Sequence, residues 1–258
     1  MTKLYAYLIA GAKGLLVAGV MVMASCASAP EAPTASKPLV FPPPPDEARF
    51  IYERTLYSSA DVVEEDSNEN MKRLLVGGVR TGEGLGKPYG VAVYQGRVFV
   101  ADSAQHAVVV FDIPGRRFFR IGEADPGSLV MPLGLYLDAK SNLYVVDGSA
   151  KHVQVYDRDG KFLRTLGGPD LFSKPSGIAV DAAGSRIYVV DTGGVQTQDH
   201  RVRVFDAVSG KHLFDFGKRG KEPGEFNLPR DVTIGKDGLL YVVDGGNFRV
   251  QVDRKSVV

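Results

Sequence analysis

Leu143-Tyr144-Val145-Val146-Asp147 is apolar at every position up to its closing aspartate, so both faces of the short strand it implies need cover. The stretch returns as Ile187-Tyr188-Val189-Val190-Asp191 and Leu240-Tyr241-Val242-Val243-Asp244, and more loosely as Val98-Phe99-Val100-Ala101-Asp102. A strand that recurs along the chain obtains its cover from copies of itself, which is the logic of a repeat protein.

Working outward, each copy is preceded by a proline and an apolar strand: Pro88-Tyr89-Gly90-Val91, Pro132-Leu133-Gly134-Leu135, Pro175-Ser176-Gly177-Ile178 and Pro229-Arg230-Asp231-Val232. The prolines recur at intervals of 44, 43 and 54 residues. Third strands are expected at 107–111, 152–156 and 201–205, and fourth strands at 117–121, 162–166 and 212–216, the last closed by Gly122, Gly167 and Gly217. Four short strands in each unit give the period of a propeller blade. The expected fold is all-β, with repeats over residues 85–252.

These units resemble the NHL repeat family. The resemblance rests on Pro-x-Gly-Val-Ala-Val, on Tyr-Val-Val-Asp, on Asp199-His200-Arg201-Val202-Arg203-Val204-Phe205-Asp206, on Asn247-Phe248-Arg249-Val250-Gln251-Val252, and on the linker Gly220 to Pro229. It implies a six-bladed propeller, of which this chain carries about four blades. The fourth unit stops after its third strand, and residues 253–258 (Asp-Arg-Lys-Ser-Val-Val) match an in-frame translation of a common sequencing adapter. The expectation is an incomplete propeller with a non-native tail over 253–258; an intact genomic reading frame ending at the same codon would sink it.

Residues 1–25 read as a signal peptide: Lys3 and Lys13, then the uncharged run Gly14 to Ala24. Met23-Ala24-Ser25-Cys26 resembles the lipobox of bacterial lipoproteins, which implies lipid attachment at Cys26. Cys26 is the one cysteine of the chain, so no internal disulfide is available to it. Ala27 after it implies sorting to the periplasmic face of the outer membrane. Residues 26–48, with the proline run Pro42 to Pro45, read as a lipidated flexible linker. Residues 49–84 are expected to hold an N-terminal strand over Arg49 to Leu56 and a short helix within 60–75; propellers often close by pairing such a strand into the last blade, so in an incomplete chain the strand near Ile51 is expected to have lost its partner.

Hydrophobic residues at 44% and charged residues at 24% describe a chain able to bury a core. The formal net charge is +1, and losing Lys3 and Lys13 with the leader brings it to about −1. That balance lacks the basic footprint of a nucleic-acid binder, so no nucleic-acid partner is expected.

The recurring Asp102, Asp147, Asp191 and Asp244 suggest a ring of carboxylates, but Asp before Ser, Gly or Thr more often closes its own turn, and they are assigned a structural role. Arg201 and Arg249 are placed to pair with Asp191 and Asp244. His106, His152 and His200 invite a zinc reading. Counting back from Phe111, Tyr156 and Phe205 puts His106 and His200 in one column and His152 in the next, so no metal, cofactor or catalytic residue is assigned. The amidating lyases partly resemble these repeats, yet several of their motifs place His where this chain has Tyr89, Leu133, Ser176 and Arg230. The span from Asp191 to Phe205 is longer than its counterparts in the two preceding units, and the extra residues are polar. Tyr89, Val195, Gln196, Gln198, His200, Arg230 and Asp231 form the candidate binding face, since loops on a rigid scaffold carry function. The expected function is an envelope lipoprotein whose propeller binds or scaffolds another protein or an envelope polymer. A metal-dependent propeller enzyme of lyase or lactonase type is the competing reading.

Overall fold

The computed structural model describes residues 38–253. The expected leader, Cys26 and the tail residues 254–258 lie outside them. The chain divides into two compact units, Met1–Thr55 and Leu56–Val258.

In the first unit, β1 (Val40–Phe41) pairs antiparallel with β2 (Phe50–Ile51), Val40 opposite Ile51 and Phe41 opposite Phe50. The expected strand over Arg49 to Leu56 is thus two residues long and pairs with a segment assigned to the flexible linker. That segment, Val40–Phe41, stands just before the proline run Pro42 to Pro45.

The second unit opens with a 3-10 turn at Ser59–Asp61 and the helix α1 (Ser67–Val76), which lies within the expected 60–75 but for its last residue. Asp66 starts α1 by accepting from the Asn68 N–H, and Gly77 ends it in the left-handed conformation. Four antiparallel sheets follow. The first blade is β3 (Pro88–Tyr94), β4 (Arg97–Asp102), β5 (Ala107–Asp112) and β6 (Arg117–Ile121). The second is β7 (Pro132–Leu137), β8 (Leu143–Asp147), β9 (His152–Tyr156) and β10 (Phe162–Leu166). The third is β11 (Pro175–Val180), β12 (Arg186–Asp191), β13 (Arg201–Asp206) and β14 (His212–Phe216). The fourth has three strands among the described residues, β15 (Pro229–Ile234), β16 (Leu240–Asp244) and β17 (Arg249–Asp253). Asp253, assigned to the tail from sequence, ends β17 opposite Leu240. The described residues of the second unit form a β-propeller of four blades.

Alternation along each second strand divides its side chains between two cores. Leu143 and Val145 pack with Phe99, Ala101, Val108 and Val110 of the first blade, whereas Tyr144 and Val146 pack with Ile178, Val180, Ile187 and Val189 of the third. Tyr188 and Val190 repeat the pattern against Val232, Leu240 and Val242 of the fourth. Every residue of β8 is buried, which is why its sequence is apolar without alternation. Fully burying each such side chain contributes about 1.5–3 kcal/mol.

The end blades differ. Leu56, Val62 and Leu85 cover Val100, Val109 and Phe111 of the first blade. Val91 and Val93 on the same sheet remain exposed, as do Val243, Val250 and Val252 of the fourth. Each first strand runs from the face bearing the linkers to the opposite face, so the loops between second and third strands share the linker face.

Candidate binding face

Each repeated aspartate closes the second strand on the linker face and is fully buried. Asp147 accepts from the backbone N–H groups of Ser149 (3.0 Å) and Ala150 (2.8 Å) in its own turn, and of Val130 (2.6 Å) and Met131 in the incoming linker. Asp102 does the same with Ala104, Gln105, Gly86 and Lys87. The aspartate therefore staples each linker to the turn beside it, a second role that the sequence motif alone does not show. Asp191 keeps the linker half, from Ser173 and Lys174, and has Arg201 at 3.7 Å. Asp244 accepts from Asn227 N–H, Asn247 Nδ2, Arg249 Nε and Gln251 Nε2. Burial pushes the carboxyls of Asp102 and Asp244 up, but the hydrogen bonds they accept outweigh it and hold both below the ordinary value.

Between the blades, the third residue of each inner strand forms a column: Gly90, Gly134, Gly177 and Asp231. A β-carbon on Gly90 would lie 2.5 Å from Leu133 O, and one on Gly177 would lie 2.6 Å from the Asp231 Cα. Backbones meet here, so a side chain has no room. Asp231 breaks the column on the fourth blade, where the outward side is open. Although its residue reaches solvent, the inner strands crowd the carboxyl, and that loss of hydration pushes its pKa up, with the Val232 N–H bond opposing.

The long loop of the third blade is a laced structure. Val195, Gln196, Thr197 and Gln198 are exposed at its tip, and Thr197 Oγ1 accepts from the Gly194 N–H at 2.8 Å. His200 lies beneath them, fully buried. Its Nε2 donates to Gly194 O (2.8 Å) and its Nδ1 accepts from the Leu228 N–H (3.1 Å), which requires the neutral Nε2–H tautomer. This corrects its place on the binding face: His200 touches no solvent and instead ties the loop to the linker before the fourth blade. Thr192 Oγ1 donates to Pro229 O at 2.7 Å and Ser176 Oγ to Arg230 O at 2.8 Å, fixing the chain that presents Arg230.

The linker over residues 218–228 is held equally firmly. Phe226 is buried over Gly217, and Glu225 accepts from the N–H groups of Glu222 and Lys221 and pairs with Lys218 at 3.2 Å. Those backbone bonds, foremost that from Glu222, lower the Glu225 pKa. Arg249 Nη2 donates to Glu222 O and Glu225 O, and Gln251 Nε2 to Glu225 O. With Glu225 engaged, the exposed Arg219, Lys221 and Arg230 have no ion pair among the described residues, and the exposed acids on the same segments are Glu222 and Asp231. Replacing His200 by Ala is expected to cost about 2–4 kcal/mol, from a buried cavity and two lost hydrogen bonds. The loop between Gly194 and Asp199 then becomes the first site of limited proteolysis; an unchanged cleavage pattern would contradict this.

The structure brings Val195, Gln196, Gln198 and Arg230 to one face at the third and fourth blades, with Asp231 at its inner edge. Tyr89 is exposed on the linker face of the first blade, a different inner strand. The histidines do not converge. His106 Nδ1 contacts Val130 O, His152 lies opposite Asp147, His212 pairs with Asp215 at 2.7 Å, and both nitrogens of His200 are taken. Among the described residues no three His, Cys, Asp or Glu side chains are grouped to hold a metal, so the donor set does not fit one.

Residues 226–252 match the NHL repeat family. The chain is 34% identical to "Protein brain tumor" of Drosophila melanogaster over 51% of its own length and 12% of that protein's. It is also 34% identical to "NHL repeat-containing protein 3" of Homo sapiens, over 40% of its length and 28% of that relative's. The chain thus spans under a third of the length of each of these two relatives. Among solved structures, a streptogramin B lyase superposes with a TM-score of 0.52 at 17% identity, covering 66% of this chain and 52% of that one, a likeness of fold alone. Residues 226–252 thus carry an NHL repeat, set in a β-propeller whose other three blades keep the same strand order.

Proposed function

We propose that the protein is an envelope lipoprotein, anchored through Cys26 at the periplasmic face of the outer membrane, whose propeller binds another protein or an anionic envelope polymer. The observation that carries the binding role is the long third-blade loop. It is exposed at Val195 to Gln198 yet fastened from beneath by His200, so a partner would meet it already ordered, at little entropic cost. The unpaired Arg219, Lys221 and Arg230 beside it suit acidic groups on the partner. The NHL-repeat relatives support a protein partner. The metal-dependent lyase or lactonase reading has no donor cluster among the described residues to work with.

A photocrosslinking residue at position 195, with Ser209 on the opposite face as control, tests the binding role in intact cells. A discrete adduct at 195 that is absent at 209 and lost in the Lys221→Glu/Arg230→Glu variant is expected. Equal labelling at both positions, or none, would remove the assignment. Lipidation is tested separately, by labelled palmitate incorporation that Cys26→Ser abolishes.

A further inference from the structure

The helix α1 has a problem of stability. It is ten residues long and none of them is buried. Isolated helices of that length are marginal in water, and most helices are held by packing of one apolar face. Met71, Leu74 and Leu75, at the i, i+3 and i+4 positions that share a face, are all exposed, Leu75 to 81%. Val76 and, past the glycines, Val79 extend the apolar surface. What holds α1 is local: the Asp66 cap, the Gly77 stop, an Arg73–Glu65 pair at 3.1 Å and a Lys72–Glu69 pair at 2.8 Å.

We infer that this stripe lies on the bilayer to which the protein is anchored, as a second point of membrane contact. The inference rests on the lipid-anchor reading of Cys26. The chain order favours a bilayer over a protein: α1 begins about 40 residues after Cys26, so the anchor keeps the stripe at high local concentration beside lipid. The chemistry agrees. The three charged side chains of α1, Glu69, Lys72 and Arg73, are all engaged in pairs, while the apolar Met71, Leu74, Leu75, Val76 and the following Val79 suit the headgroup–acyl boundary of a bilayer. No described helix is long and apolar enough to cross a membrane, so α1 would lie in the interface plane. Stable anchoring generally takes two membrane contacts, and α1 would orient the propeller as well as retain it.

The chain has no tryptophan and a single cysteine, which makes the test direct. Residues 26–258, containing every packed core of the propeller, carry Leu75→Trp and are coupled through Cys26 to a maleimide lipid in vesicles of phosphatidylethanolamine and phosphatidylglycerol. The thiol coupling replaces the acyl anchor, so the result does not depend on whether cells lipidate Cys26. Tryptophan emission should move to the blue relative to the same protein capped with a soluble maleimide, and brominated acyl chains should quench it. Adding Met71→Ser and Leu74→Ser should lower the bound fraction of helix about tenfold or more, with the thermal transition of the propeller unchanged because no buried residue is altered. Emission that coupling leaves unchanged would overturn the inference. So would a blue shift already present without vesicles and rising with protein concentration, which would assign the stripe to a second copy of the chain.

Discussion

Asp147→Ala is expected to destabilise the propeller by about 3–5 kcal/mol, because the substitution strands four backbone N–H groups at once. Val130 and Met131 come from the linker between the first two blades, Ser149 and Ala150 from the turn within the second. With the carboxylate fully buried, water cannot replace it without opening the junction. Asp147→Asn keeps one oxygen acceptor and introduces an amide with nothing to donate to, so an intermediate loss is expected. Chemical denaturation of the three proteins side by side measures this. An alanine variant within 1 kcal/mol of the parent would show that the recurring aspartate is not a structural staple.

The same carboxylates set the acid limit. Asp102 and Asp244 have folded pKa values below the ordinary one, so the unfolded chain binds more protons than the folded chain as the pH falls through that range. Their contribution is complete above about pH 4, the unfolded value, and is lost as the pH falls through the folded values. Asp231, whose pKa is raised, acts in the opposite sense: protonation relieves the penalty of its crowded site. Depressed carboxyls, Asp102, Asp244 and Asp215 among them, outnumber the raised Asp231, which leaves a net loss of stability below about pH 4. The thermal midpoint should fall there, and Asp231→Asn should raise it at neutral pH relative to the parent.

The repeat was legible because its physics is local. Tyr-Val-Val-Asp announces a strand covered on both faces, and the expected fourth strands at 117–121, 162–166 and 212–216 coincide with β6, β10 and β14. The long loop after Asp191 was visible as a break in period. Less was legible where a residue's role depends on a neighbouring unit. His200 reads as a surface loop histidine, yet its two partners, Gly194 and Leu228, fix it in the interior. The linker half of each aspartate staple joins residues 15 to 18 apart, which no turn motif reveals. The N-terminal strand was legible near Ile51, but its partner was not, because Val40–Phe41 sits inside a stretch whose composition reads as tether.

Gly134→Ala is the other large expected effect, about 2–4 kcal/mol for a single added methyl. A β-carbon there would collide with Ser176 O and lie 2.9 Å from the Gly177 Cα. Both obstacles are backbone of the next inner strand, so no rotamer change relieves the clash. The third blade would have to move away from the second, opening the core in which Tyr144 and Val146 pack on Ile178 and Val189. Interiors are close-packed, and such a shift forfeits dispersion along the whole interface. Gly184→Ala is the matched control: it meets nothing within 4 Å, so its cost is confined to a left-handed turn residue at φ 64°, about 1 kcal/mol. If Gly134→Ala costs no more than Gly184→Ala, the blades are not in backbone contact at this column. If it costs several times more, Asp231 gains meaning as the one member of the column freed from that contact, able to carry a side chain because no described strand packs against its outer side.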